Sequence, residues 1–178
     1  MMTIPDRQAG TGMQQVEPDE HHARLVAEIT EIGRLMRASD GRGGWSTGER
    51  IAGALICDEI LWLPDGYTIP AAVDRLGHRW RTALIEAATG NPAISPSDID
   101  DSPRADLVDR IRGIASSLVA DNGRGSWSTG ERIAGALLAG VPAWLPSGYS
   151  IVEAIARLSG NWLGALIEAD RLGWRDSA

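Results

Sequence analysis

The sequence predicts an all-α fold: a tandem duplication of a roughly 68-residue three-helix unit, its copies packed with pseudo-two-fold symmetry. Three observations carry this expectation. Gly41–Leu55 recurs as Gly123–Leu137, and residues 41–88 match residues 123–170 at 29 of 48 positions with a constant offset of 82. Apolar residues recur at helical rather than strand spacing in both copies. Helix-start signals of the form Ser-x-x-Glu fall at matching places. The units are expected over 22–89 and 104–171. A linker over 90–103, with prolines, glycine and acids, joins them, and tails are expected at 1–20 and 172–178.

Each element has a reason. In the first helix, Leu25, Ile29, Ile32 and Met36 fall on one stripe, repeated as Leu107, Ile111, Ile114 and Leu118. The second opens with the capping boxes Ser46–Glu49 and Ser128–Glu131. It then carries Ala52, Gly53 and Ala54, small residues where another backbone can approach. Trp62-Leu-Pro-Asp-Gly-Tyr67 breaks it with Pro and Gly. The third helix starts at Thr68 or Ser150 as N-cap, with Glu153 completing another capping box. Ile69, Val73, Leu76, Trp80, Ala83 and Ala87 share a stripe if this helix runs uninterrupted, as do Ile151, Ile155, Leu158, Trp162 and Ala165. A helix-turn-helix with Leu76-Gly77 as its turn is the alternative. Gly77 aligns with Ser159, however, so the glycine is not held between copies, and one continuous helix is the expectation.

Composition narrows the function classes. The chain carries 17 basic residues, all Arg, against 24 acidic ones, a net charge of −7, which argues against duplex nucleic acid as a partner. No apolar run is long enough for a membrane helix, and the N-terminus lacks the pattern of a secretory signal. A single cysteine, Cys57, fits a reducing, cytoplasmic setting. There is no Phe but there are seven Trp, and the indoles are expected to supply much of the core and to nest between the copies.

The chemistry-bearing inventory is short. His21 and His22 are neighbours without further ligands, and His78 aligns with Gly160, so no catalytic residue, metal site or cofactor is expected. The longest segment kept in both copies is Gly-Arg-Gly-x-Trp-Ser-Thr-Gly-Glu-Arg. Its glycines, hydroxyls and helix start suit a small anionic ligand or nucleotide, although Glu49 and Glu131 at the third helical position repel an anion. Trp, Tyr and Arg are also the residue types enriched at protein interface hot spots. Candidate binding residues are therefore Arg42, Trp45, Arg50 and Tyr67, with Arg124, Trp127, Arg132 and Tyr149.

Trp-Ser-Thr-Gly-Glu-Arg-Ile-Ala-Gly-Ala-Leu, followed by Trp-Leu-Pro-x-Gly-Tyr-[Thr/Ser]-Ile-x-x-Ala-x-x-Arg-Leu, resembles short proteins of actinobacteria and their phages, a group with no established activity. The likeness covers about one repeat unit. It implies a small cytosolic accessory protein, phage-encoded and aimed at a host component, and no catalytic residue transfers from it. The expectation is a non-enzymatic cytoplasmic module that binds another protein. Anionic-ligand binding at the two loops is the second reading and helix-turn-helix DNA binding the third.

Overall fold

A computed structural model describes residues 20–91, 104–158 and 160–174. These form α1 (Glu20–Ser39), α2 (Thr47–Ile56), a 3₁₀ turn (Ile60–Trp62) and α3 (Ile69–Thr89), then α4 (Ala105–Ala120), α5 (Thr129–Ala139), a second 3₁₀ turn (Pro142–Trp144), α6 (Ile151–Arg157) and α7 (Gly160–Arg171). Among the described residues there is no strand, so the all-α expectation holds. Most of the proposed linker, at 92–103, lies outside the described residues, as do 1–19 of the N-terminal tail and 175–178 of the C-terminal one. Glu20 and Trp174, both expected in tails, belong to the folded part: Glu20 starts α1, and Trp174 is only 6% exposed.

The helix ends follow the local sequence. Ser46, Ser128 and Ser150 each accept the N–H of the glutamate three residues on, and that glutamate's carboxylate accepts the serine's own N–H. Each such cap contributes about 1 kcal/mol. Thr68 caps α3 through a bond from the Ala71 N–H at 3.1 Å, with Pro70 in the first turn, where its missing N–H costs nothing. α1 stops where Asp40 and Gly41 turn left-handed, and the Gly41 N–H returns to the Met36 carbonyl at 2.8 Å. Asn122 and Gly123 end α4 the same way, with Gly123 N–H on the Leu118 carbonyl at 2.7 Å.

The third segment is not continuous, which corrects the expectation drawn from its stripe. Gly77 has φ 67° and ψ 170°, a conformation outside the helix that glycine enters without a Cβ penalty. In the second copy Leu158, with φ −73° and ψ 125°, ends α6, and α7 begins at Gly160. The second copy breaks without a matched glycine. An extended residue breaks a helix as well as a left-handed one, and any side chain tolerates it. Because each interruption is brief, both flanking segments still bury apolar residues: Ile69, Val73, Leu76, Ala83 and Leu84 in α3, Ile151, Ile155, Leu163 and Leu166 in α6 and α7.

The core is aliphatic. Its largest fully enclosed side chains are Ile29, Met36, Ile51, Leu55, Ile69, Leu84, Ile111, Leu118, Ile133, Leu137, Leu138 and Ile151, each worth about 1.5–3 kcal/mol of transfer energy. The six repeat tryptophans (Trp45, Trp62, Trp80, Trp127, Trp144 and Trp162) are half-buried, so they border the core rather than fill it. Four of them lie against the core, and Trp45 and Trp127 do not. Small residues do allow the close approach anticipated for α2: a Cβ on Gly53 would collide with the Met36 sulfur, and one on Gly135 would sit 2.6 Å from Ile114. One continuous core runs through both halves of the chain, with α3 packed on α6 and α7, α2 on α6, and α5 on α3.

Candidate functional site

The two Gly-Arg-Gly-x-Trp loops join α1 to α2 and α4 to α5. Their glycines serve the indoles. Gly41, at φ 72°, lies so close to Trp62 that a Cβ there would stand 2.6 Å from the ring, and Gly123 is packed still tighter on Trp144. The second glycine of each motif lies on the other indole: a Cβ on Gly43 would be 2.7 Å from Trp45 Nε1, and one on Gly125 2.6 Å from Trp127 Nε1. The Trp45 Nε1–H donates back to the Arg42 carbonyl at 3.2 Å, whereas Trp127 Nε1 is enclosed without a hydrogen-bond partner. Two glycines and two tryptophans thus fix each loop against the 3₁₀ turn that follows α2 or α5.

Arg50 and Arg132 complete this brace. Arg50 Nε donates to the Trp62 carbonyl and Arg132 Nε to the Trp144 carbonyl, both at 2.8 Å; Arg132 Nη2 also reaches the Gly123 carbonyl at 3.2 Å. These partners are backbone, not the glutamates or an external ligand. Removing either arginine leaves a carbonyl without its charged donor, so these candidate residues act on the loop's architecture.

The start of α2 and α5 is negatively charged. Hydrogen bonds from Ser46 hold the Glu49 carboxyl below its ordinary range. Glu131 is pushed down to about 2, first by Ser128 and then by Arg110, whose Nε lies 3.1 Å from the carboxylate. Position 28, the counterpart of Arg110, holds Glu28, so the first half lacks this clamp. A carboxylate already occupies donors at each helix start, which leaves an anion little to bind there.

Arg42 and Arg124 are placed differently. Arg42 projects into solvent with its side chain 86% exposed and a distant pairing to Asp40 at 3.9 Å, and Arg124 is likewise exposed. Tyr67 and Tyr149 are half-buried and packed on the core after their Pro-x-Gly turns. In the first loop the Trp45 indole thus meets the Arg42 backbone while the Arg42 side chain is exposed, and Arg124 is exposed in the second; Arg50 and Arg132 bond backbone carbonyls, and both tyrosines pack on the core. Sequence reasoning missed Leu61, which is 86% exposed next to Trp62 and aligns with Ala143. Its only signal was its place in a turn otherwise anchored by Trp62 and Leu63.

Comparisons with family models, with curated proteins and with solved structures returned no match for this chain. Its chemistry is therefore read from its own side chains. Among the described residues no three His, Cys, Asp or Glu are grouped to hold a metal ion. His22 pairs with Glu86 at 2.8 Å, and the His78 ring lies 3.5 Å from the Thr82 hydroxyl on its own helix. Cys57 is half-buried, its thiol donates to the Gly33 carbonyl at 3.4 Å, and burial pushes its pKa up, the opposite of an activated nucleophile. No helix among the described residues is long and apolar enough to cross a membrane.

The interruptions at Gly77 and Leu158 divide the third segment of each copy in two. α7, which would be the reading helix of the second copy, buries Leu163, Gly164, Ala165, Leu166, Ile167 and Ala169, and packs on α3, α4 and α5.

Proposed function

We propose that this chain is a non-enzymatic protein-binding module of the cytoplasm, built by tandem duplication, which presents its two Gly-Arg-Gly-x-Trp loops to a partner protein. The observation that carries the reading is the contrast within each loop: its glycines, its indole and the second arginine of the motif are engaged internally, and one arginine stands exposed three residues before the indole. A loop fixed in advance loses little entropy on binding, and Arg next to Trp is a favoured hot-spot combination. The net charge of −7 would steer basic partners toward the chain, with the arginines seeking carboxylates in the final contact.

The duplication is supported by the element order, in which every element of residues 20–91 has a counterpart 82 positions on, the two 3₁₀ turns matching end to end. Reciprocal packing supports pseudo-two-fold symmetry: α2 meets α6, and its counterpart α5 meets α3. The test is affinity capture from cell lysate with the native chain and with Arg42→Ala plus Arg124→Ala. A stoichiometric protein lost from the double variant at unchanged Tm supports the reading. Equal capture by both chains overturns it.

A further inference from the structure

We propose that Asn122–Gly123, at the end of α4, is a latent covalent modification site: when the last turn of α4 opens, the Gly123 nitrogen closes on the Asn122 side-chain amide, and the residue becomes isoaspartate, which releases the second Gly-Arg-Gly-x-Trp loop. The chain has three asparagines. Asn91 precedes Pro92, whose nitrogen carries no proton, and Asn161 precedes the bulky Trp162 within α7. Only Asn122 precedes a glycine, whose missing side chain leaves the attacking nitrogen unhindered. Asn122 is exposed, and among the described residues its side-chain amide has no hydrogen-bond partner, so nothing shields the carbon under attack. Asp40 and Asp65 also precede glycines, but a carboxylate is a poorer electrophile than an amide.

The helix cap is the gate. The Gly123 N–H donates to the Leu118 carbonyl at 2.7 Å, and the Asn122 N–H to the Val119 carbonyl at 3.3 Å. Gly123 is itself buried against Trp144, and its carbonyl accepts from Arg132 Nη2 at 3.2 Å. While these contacts hold, the nucleophile's proton is engaged and its backbone cannot turn toward the side chain. Once the turn opens, the Gly123 nitrogen gives its proton to solvent and bonds to Asn122 Cγ. The side-chain nitrogen takes up a proton and leaves as ammonia, which closes a succinimide ring. Water then opens the ring. Breaking the Cγ–N bond yields aspartate, whereas breaking the bond from the main-chain carbonyl carbon to nitrogen yields isoaspartate, with a main chain one methylene longer. Aspartate fits this turn: its counterpart Asp40 holds φ 53° against 51° for Asn122, and the Gly41 N–H keeps the matching bond to Met36 at 2.8 Å. Isoaspartate moves Gly123 off Trp144 and frees the loop that carries Arg124, in one half of the molecule alone.

The test uses the full native chain, held folded in neutral buffer or unfolded in guanidinium, with isoaspartate located by peptide mass spectrometry. In the unfolded chain Asn122 is expected to convert ahead of Asn91 and Asn161. In the folded chain its conversion should be roughly tenfold slower or more, because only molecules with the turn open react. Sub-denaturing guanidinium should raise that folded-state rate in step with hydrogen exchange of the Gly123 N–H. The purified isoaspartate form should show shifted tryptophan fluorescence, and the Asn122→Asp variant should not. Equal rates in folded and unfolded chains overturn the proposal, because the cap then gates nothing. Conversion of Asn91 or Asn161 as fast as Asn122, or unchanged fluorescence in the isoaspartate form, also overturns it. None of these readouts involves a partner protein, so this proposal and the loop-docking reading fail separately.

Discussion

The carboxylate of Asp58, in the first half of the chain, accepts the N–H of Ile151, the opening residue of α6 in the second half, at 2.6 Å. Asp58 holds this position at φ 59°, where a side chain is strained; its counterpart Gly140 adopts φ 70° without that strain. The contact thus offsets a local backbone cost by capping a helix in the other half. Asp58→Ala is expected to lose the acceptor and keep the strain, lowering stability by about 1–2 kcal/mol. Asp58→Gly loses only the acceptor, and Asp58→Asn, which tolerates the left-handed region, should be the mildest. Urea unfolding with an unchanged slope would report the ranking, and an Asp58→Ala chain as stable as the native one would show the contact to be idle.

How far the sequence was legible follows from which signals are local. The boxes at Ser46, Ser128 and Ser150, the α1 and α4 stripes and the role of Gly53 are short-range patterns, and each appears as expected. The interruption at Leu158 was illegible because an extended leucine leaves no mark in composition. The partners of Arg50 and Arg132 were missed because they are carbonyls of Trp62 and Trp144, and a carbonyl has no letter in a sequence. The joint retention of Gly41 with Trp62 and of Gly123 with Trp144 did hint at the glycine–indole packing, but only geometry says that one rests on the other. The indoles border the core more than they fill it, because large rings such as Trp62 and Trp144 are held from one side.

That packing can be measured apart from backbone strain. Gly41→Ala combines a left-handed alanine with a Cβ placed 2.6 Å from Trp62, whereas Gly66→Ala, at φ 82°, meets nothing within 4 Å. The first is expected to cost about 2–4 kcal/mol and the second about 1–2 kcal/mol. Tryptophan fluorescence should shift in Gly41→Ala alone. Identical losses would mean the indole moves aside without cost.

The two bracing arginines should differ in weight. Arg132 holds the Trp144 and Gly123 carbonyls and is half-buried, while Arg50 is exposed and holds only that of Trp62. Arg132→Ala is expected to cost about 1–3 kcal/mol and Arg50→Ala roughly half as much. Thermal melts of the two single variants provide the comparison. If neither lowers Tm, both side chains return to the candidates for partner contact.

Glu131 ties stability to acid pH. Its carboxyl titrates at about 2 in the folded chain, below the ordinary 4.5, so its contribution is complete above about 4.5 and fades as the pH falls toward 2. Glu131→Gln should therefore lower Tm at pH 7, with the gap to the native chain closing across that window. Arg110→Ala should raise the lower edge of the window while leaving the Ser128 cap in place. A gap that stays constant from pH 7 to about 2 would assign the loss to shape rather than charge.

The two loop indoles allow a direct comparison between halves: each lies on the second glycine of its motif, and they differ in one hydrogen bond. Trp45 Nε1–H is satisfied by the Arg42 carbonyl at 3.2 Å, and Trp127 Nε1–H is enclosed with no acceptor. Replacing either by Phe removes similar ring area and leaves the adjoining glycine in place. In the first half it also discards a hydrogen bond, whereas in the second it relieves an enclosed donor of its desolvation cost. Trp45→Phe is therefore expected to be the more destabilising by about 1–2 kcal/mol. Equal losses in chemical unfolding would mean that the Trp127 donor finds a partner in solution, such as a bridging water.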